Sequence, residues 1–259
     1  MRLRRTIVGA TLVAVVAVLG VRLWRGEDTA APAAAAPAPV VSRTALAPTR
    51  AVPAPETAEA TEDGGPADEP AGLEEPDVPQ NGTGSTHVVA VPAVANHASG
   101  RTVRYTVEVE GGLGVDEAQV AATVQGILLD ERGWQGVDHV RFVNVSPERA
   151  RAGGQVDIRV TLASPGLTDR LCAPMRTMSQ VSCWNGERSV LNFRRWALGD
   201  DSYGADVARY RVYQVNHEVG HGLGHQHEQC AAQGARAPVM VQQTLGLGGC
   251  KPWPYPSGA

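Results

Sequence analysis

The 259-residue chain holds a single lysine, Lys251, among its 23 basic residues, and isoleucine is nearly absent while Ala, Gly, Val and Arg are common. That bias points to a GC-rich coding sequence. A basic excess is missing too. The net charge of −4 resolves into +5 over residues 1–25, −9 over 26–84 (11 acids against 2 arginines) and zero over 85–259, where 16 acids face 16 bases. A neutral folded part lacks the clustered positive charge of a nucleic-acid binder, so no nucleic-acid partner is expected. No cysteine precedes Cys172, and no two cysteines have CxxC spacing, which argues against a four-cysteine zinc site. In an oxidising compartment the even set Cys172, Cys183, Cys230 and Cys250 reads as two disulfides. Three connectivities exist, and proximity in sequence suggests Cys172 with Cys183 and Cys230 with Cys250.

Long apolar runs are also scarce, with one exception. Arg2, Arg4 and Arg5 precede a run free of charge from Ile7 to Val21, closed by Arg22 and Arg25. It is longer than most cleavable signal cores and a little short of the roughly 20 residues that span a bilayer, although Leu23 and Trp24 extend it. Residues 1–25 therefore read as an uncleaved membrane anchor, with the arginines inside and the rest of the chain outside. Cleavage and secretion is the alternative. Residues 26–84 are dominated by Ala, Pro, Glu and Thr, with almost nothing large and apolar to bury, as expected of a disordered tether. In extended form such a tether reaches on the order of 150 Å, at about 3.1 Å per residue.

Residues 85–259 carry the patterns of one α+β domain. In RTVRYTVEVE, from Arg101, Val103, Tyr105, Val107 and Val109 alternate with polar residues, predicting a half-buried strand. Asp116 caps a predicted helix, with Gln119 as its capping-box partner and Val120, Val124, Ile127 and Leu128 at helical spacing. Further strands are predicted at 140–145, 156–163 and 189–198, the last interrupted by Asn192. From Asp206, Val212, Val215, Val219 and Leu223 form one helical stripe, while His217 and His221 fall on another face.

That helix runs into HEVGHGLGHQH, residues 217–227. Side chains four apart on a helix share a face, so His217 and His221 can each offer a nitrogen to one zinc ion at about 2.0 to 2.1 Å. Glu218 stands beside the first ligand, within reach of a water on the ion. A glycine after His221 can adopt positive φ, end the helix and let the returning chain deliver His227, leaving one tetrahedral position open. His225 continues the i, i+4 series and is the alternative third ligand if the helix runs on; otherwise it reads as a solvated or supporting residue at the helix end. A downstream carboxylate ligand is excluded, because no acid follows Glu228. Glu228 itself reads as a cap or ion-pair partner.

HExxHxxGxxH resembles the metzincin signature, matched at His217, Glu218, His221, Gly224 and His227. Metzincins also place a methionine turn beneath their zinc, and Ala237-Pro238-Val239-Met240 follows His227 by 13 residues. More closely, the tether, the HEVGHGLGHxHE core and the APVM turn resemble a family of exported actinobacterial domains of unknown function. The resemblance implies a metzincin-like fold: a twisted mixed sheet on an N-terminal helix and an active-site helix, with a small disulfide-linked C-terminal part. Two departures stand out. The position two after Met240 is Gln242 rather than tyrosine, and no upstream cysteine is available to a propeptide. The function implied is zinc-dependent hydrolysis of peptide bonds outside the membrane, with His217, His221 and His227 as zinc ligands and Glu218 as general base. An extended peptide or protein substrate would pair with an edge strand. The alternatives are a hydrolase of cell-wall stem peptides, suggested by the tether's reach, and a non-catalytic surface-binding domain stabilised by zinc.

Overall fold

The computed structural model describes residues 78–259. The expected anchor and nearly all of the expected tether, residues 1–77, lie outside them. Among the described residues no helix is long and apolar enough to cross a membrane, and the chain forms six strands, six helices and one short 3-10 turn. In order these are β1 (Thr86–Val88), β2 (Arg101–Glu110), α1 (Glu117–Leu129), α2 (Trp134–Val137), β3 (Val140–Asn144), α3 (Pro147–Arg151), β4 (Ile158–Ala163), α4 (Pro165–Cys172), β5 (Cys183–Trp184), β6 (Arg188–Asn192), α5 (Phe193–Leu198) and α6 (Val207–Leu223).

The strands form one twisted mixed sheet ordered β1-β2-β4-β6-β5, with β3 also on β2. β2, β3, β4 and β6 run parallel, while β1 and β5 pair antiparallel at the ends of the order. β1 lies along the C-terminal half of β2 and β3 along its N-terminal half. Alternation places the two cores. Val103, Tyr105, Val107, Val109, Val160, Leu162 and Leu191 face a large cluster with Val120, Val124 and Leu128 of α1 and Val215 and Val219 of α6. Ala163 and Val190 face the other way, toward Leu167 and the Cys172–Cys183 disulfide. The helix that carries the histidines thus packs against both the sheet and α1.

Three features differ from the sequence expectation. β2 is not half-buried: toward its C-terminus the polar face is covered as well, leaving Glu108 and Glu110 only 3% and 1% exposed. Glu108 is neutralised by Arg159 at 2.9 Å and Arg188 at 3.4 Å. Glu110 accepts the backbone N–H groups of Gly84 at 2.8 Å and Ser164 at 2.7 Å, so each buried carboxylate is satisfied. Second, the strand expected over 189–198 is a strand only to Asn192, after which α5 begins. Asn192 is the switch, because its side chain accepts the Arg194 N–H at 3.0 Å and caps the helix. Third, the chain is fixed to the domain from Val78, ahead of the expected boundary at residue 85. Gln80 O accepts the Gly166 N–H at 2.9 Å and the Thr83 N–H donates to Gly111 O at 2.8 Å. Backbone bonds to the first turn of α4 and to the turn after β2 need no large apolar side chain, and composition does not register them.

The expected cap of α1 is present, and α6 starts on a capping aspartate as well. Asp116 accepts the Gln119 N–H and Asp206 the Arg209 N–H, each at 3.0 Å. The capping box at α1 is half formed, since the Gln119 side chain turns to Thr123 instead. Both disulfides join the sequence neighbours, Cys172–Cys183 and Cys230–Cys250.

Candidate metal centre

α6 places His217 and His221 one turn apart, and Gly224 ends it with φ +109. The Gly224 N–H returns to His221 O and the His225 N–H to Gly220 O, both at 3.0 Å. This paired 5→2 and 6→1 closure is the Schellman motif, which requires a left-handed residue at the position Gly224 holds. Gly222 stays inside the helix. The chain then reverses, and His227 comes back over the face that carries the other two rings.

The nitrogens that remain available are fixed by what the others bind. The Nδ1 of His217 lies 2.9 Å from Val239 O, and the Nδ1 of His221 lies 2.9 Å from His225 O. A carbonyl can only accept, so both Nδ1 atoms carry the proton and both Nε2 atoms keep a free lone pair. The Nε2 atoms of His221 and His227 stand 3.1 Å apart, and donor nitrogens of all three histidines fall within 4.8 Å of one another. Two nitrogens at 2.0–2.1 Å from one tetrahedral ion would stand about 3.3 Å apart, so the cluster fits a metal ion. Burial lowers the pKa of all three, His217 to about 3, which keeps the rings in the neutral form that ligates.

Glu218 is buried at 6% exposure and lines the same cleft. Its carboxyl has no hydrogen-bond or ion-pair partner among the described residues, and burial pushes its pKa up to about 8. A dication bound beside it would oppose that shift and favour the carboxylate.

The segment after His227 supports the cluster from below. Val239 O orients His217, and Met240, fully buried, packs on α6 at Gly220, where a Cβ would come within 2.6 Å of the methionine sulfur. The Tyr213 hydroxyl donates to Val241 O at 3.1 Å and accepts the Gln243 N–H at 2.8 Å, stapling this segment to α6. The methionine turn singled out in the sequence therefore meets the helix one residue before a histidine of the cluster.

The histidines open on a cleft of about 380 Å³. One rim is β5, which has β6 as its single neighbour in the sheet. Another is the loop from Cys172 to Cys183, closed by its disulfide and held by Asp169, which accepts from the Ser179 N–H at 2.7 Å, the Ser179 hydroxyl at 2.6 Å and the Thr177 hydroxyl. Exposed Met175 and Leu245 and half-buried Trp184 give the cleft an apolar part, set among polar Arg176, Thr177 and Gln242.

Residues 72–256 match a family described as "Protein of unknown function (DUF3152)". The chain belongs to that family. No curated protein and no solved structure matches it.

The sequence-predicted residues His217, His221 and His227 are brought together, with Glu218 and Met240 adjacent. His225 is not part of the cluster: its Nε2 lies 2.8 Å from Asp138 and its ring stacks on Trp134 at 4.2 Å. Glu228 forms no ion pair among the described residues; its N–H instead donates to Met240 O at 3.1 Å. Asp138, Trp134 and Tyr213 went unnoticed in the sequence. Asp138 and Trp134 lie more than 80 residues upstream of their partners on and after α6, and nothing local distinguishes them from ordinary surface and core residues.

Proposed function

We propose that this protein is a zinc-dependent peptidase of metzincin type, held outside the membrane by its N-terminal segment. The observation that carries the reading is Glu218, an unpartnered buried carboxyl next to a three-histidine cluster and facing an open cleft. A purely structural metal site needs no such group and is usually closed by a fourth protein ligand, whereas the cluster among the described residues has three. Three neutral imidazoles suit zinc, and HExxHxxGxxH with Met240 supports the metzincin assignment.

Zinc held by the three Nε2 atoms would supply Lewis acidity toward a peptide carbonyl and toward water. Glu218 takes one proton from the attacking water and delivers it to the departing amide nitrogen, so one C–N bond breaks and one C–O bond forms. β5 offers an extended substrate an edge on which to pair, and the apolar rim of Met175, Trp184 and Leu245 favours apolar side chains around the scissile bond. The test is metal analysis of the purified full chain with a peptide-library cleavage assay. Zinc near one equivalent, cleavage by the wild type, and a fall of about 10²- to 10⁴-fold in kcat for Glu218→Gln at unchanged zinc content are expected. Zinc-loaded protein that cleaves nothing, or Glu218→Gln as active as wild type, sinks the reading.

A further inference from the structure

α2 is a single helical turn, WQGV, yet it touches the metal-binding helix at both ends of its histidine pair. Trp134 opens the turn and Asp138 ends it, so the indole and the carboxylate project from one small element. The Trp134 Nε1–H donates to Asn216 O at 2.8 Å, the residue immediately before His217. Its ring then lies across α6 at Gly220, where a Cβ would come within 2.6 Å of the indole. Beyond the helix end the same ring stacks on His225 at 4.2 Å and 25°, while Asp138 takes the His225 Nε2 at 2.8 Å.

His225 is gripped at three points. Its N–H closes α6 on Gly220 O, its carbonyl accepts the proton of His221 Nδ1, and its side chain is clamped between Trp134 and Asp138. A carbonyl that holds a ligand's second nitrogen sets the tautomer and ring plane of that ligand. His225 also lies two residues before His227, so the direction in which the chain leaves the clamp decides where the third ring arrives.

We infer that Asp138 and His225, bracketed with Trp134, are positioning residues for the metal centre: they orient His221 through the His225 carbonyl and aim His227 at the ion. The inference rests on the metal-binding part of the proposed function and is independent of peptide cleavage. The clamp touches the ion's ligands rather than the ion, so its removal loosens the site without deleting a donor.

The test uses Co²⁺ as the probe, with the full chain purified in detergent and stripped of metal. Dissociation constants come from chelator competition and ligand geometry from the visible absorption of the cobalt form. Asp138→Ala and His225→Ala are each expected to weaken binding by about 10- to 100-fold and to alter the cobalt spectrum. His225→Gln, whose amide can still donate to Asp138, is expected to recover most of the affinity and the wild-type band. Thermal unfolding of the metal-free variants separates loss of fold from loss of positioning. If His225→Ala does not fold, Asp138→Ala carries the test alone, since it leaves the His225 ring, its stacking on Trp134 and its backbone bonds in place. Wild-type affinity and an unchanged cobalt spectrum in Asp138→Ala overturn the inference, whatever happens to thermal stability. A wild-type chain that binds no Co²⁺ overturns the metal-centre reading and this inference with it, whereas a binding wild type matched by its variants overturns the positioning role alone.

Discussion

His217 and His221 stand on 17 residues of continuous helix, whereas His227 stands on a segment, 225–259, whose only regular pairing is the isolated bridge between Arg236 and Lys251. In the helix, hydrogen bonds between near neighbours along the chain fix the spacing of the two rings. In the return segment short-range bonds such as His225 N–H to Gly220 O are joined by contacts with residues distant in sequence and by a covalent crosslink: His225 against Asp138, His217 against Val239 O, and Cys230 bonded to Cys250. The same ion would thus be held by two ligands whose relation is local and by a third whose position is tertiary. Damage to the return segment should therefore cost metal affinity more than equal damage elsewhere.

The disulfides offer the largest contrast. Closing loops of sequence separation 20 and 11, each is expected to contribute about 3 kcal/mol by restricting the unfolded chain. Replacing Cys230 and Cys250 by alanine should lower stability and also weaken metal binding, because that loop contains Met240 and begins just after His227. Replacing Cys172 and Cys183 should lower stability by a similar amount and leave metal affinity intact. Denaturant unfolding of metal-free protein beside chelator competition checks this, and equal losses of affinity in the two pairs would erase the distinction between regions.

Two glycines sharpen it further. Gly220→Ala drives a methyl group into Met240 and Trp134 and should cost about 1–3 kcal/mol as overpacking. Gly224→Ala meets open space but keeps φ +109, at about 1–2 kcal/mol for the left-handed backbone. Gly224→Ala should nevertheless show the greater loss of metal affinity per unit of lost stability, since it redirects the chain toward His227.

The smallest effect is read in pH. In the metal-free protein His217 is depressed from 6.5 to about 3. Between those values the unfolded state binds the extra proton, so stability is present above pH 6.5 and declines as pH falls toward 3. Glu218 is raised from 4.5 to about 8, so there the native state holds the extra proton and stability declines as pH rises from 4.5 through 8. The two slopes oppose each other between 4.5 and 6.5, leaving a plateau with a fall on either side. Glu218→Gln should remove the alkaline fall and His217→Ala the largest part of the acid one in thermal melts across this range, His221 and His227 being lowered as well. His227→Ala, on the more exposed return segment, should leave the acid fall standing. A profile of Glu218→Gln identical to that of wild type would contradict the burial of this carboxyl.

Local pattern carries much of this structure, and particular residues show where it stops. The α6 stripe of Val212, Val215, Val219 and Leu223 against His217 and His221, the caps at Asp116 and Asp206, and the break at Gly224 all arise from side-chain spacing and backbone preference within a few residues. The pairing of the cysteines agrees with simple proximity. β2 reads as half-buried because its polar residues alternate correctly; the cover over Glu108 and Glu110 comes from Arg159, Arg188, Gly84 and Ser164, which no alternation reveals. Asn192 is legible as an interruption but not as a helix cap, since a cap is recognised only by the helix beyond it.

HEVGHGLGHQH therefore contains by itself the donors, their order and the turn between them, because a helix and a left-handed glycine are short-range consequences of residue type. It favours His227 over His225 through that turn, but it does not contain what holds the two rings in place. Those supports belong to the tertiary structure, where Trp134 and Asp138 take up the His225 ring and Val239 and Met240 support the helix beneath. Side chains separated by tens of residues acquire a relation only when the sheet and α2 bring them within hydrogen-bond distance.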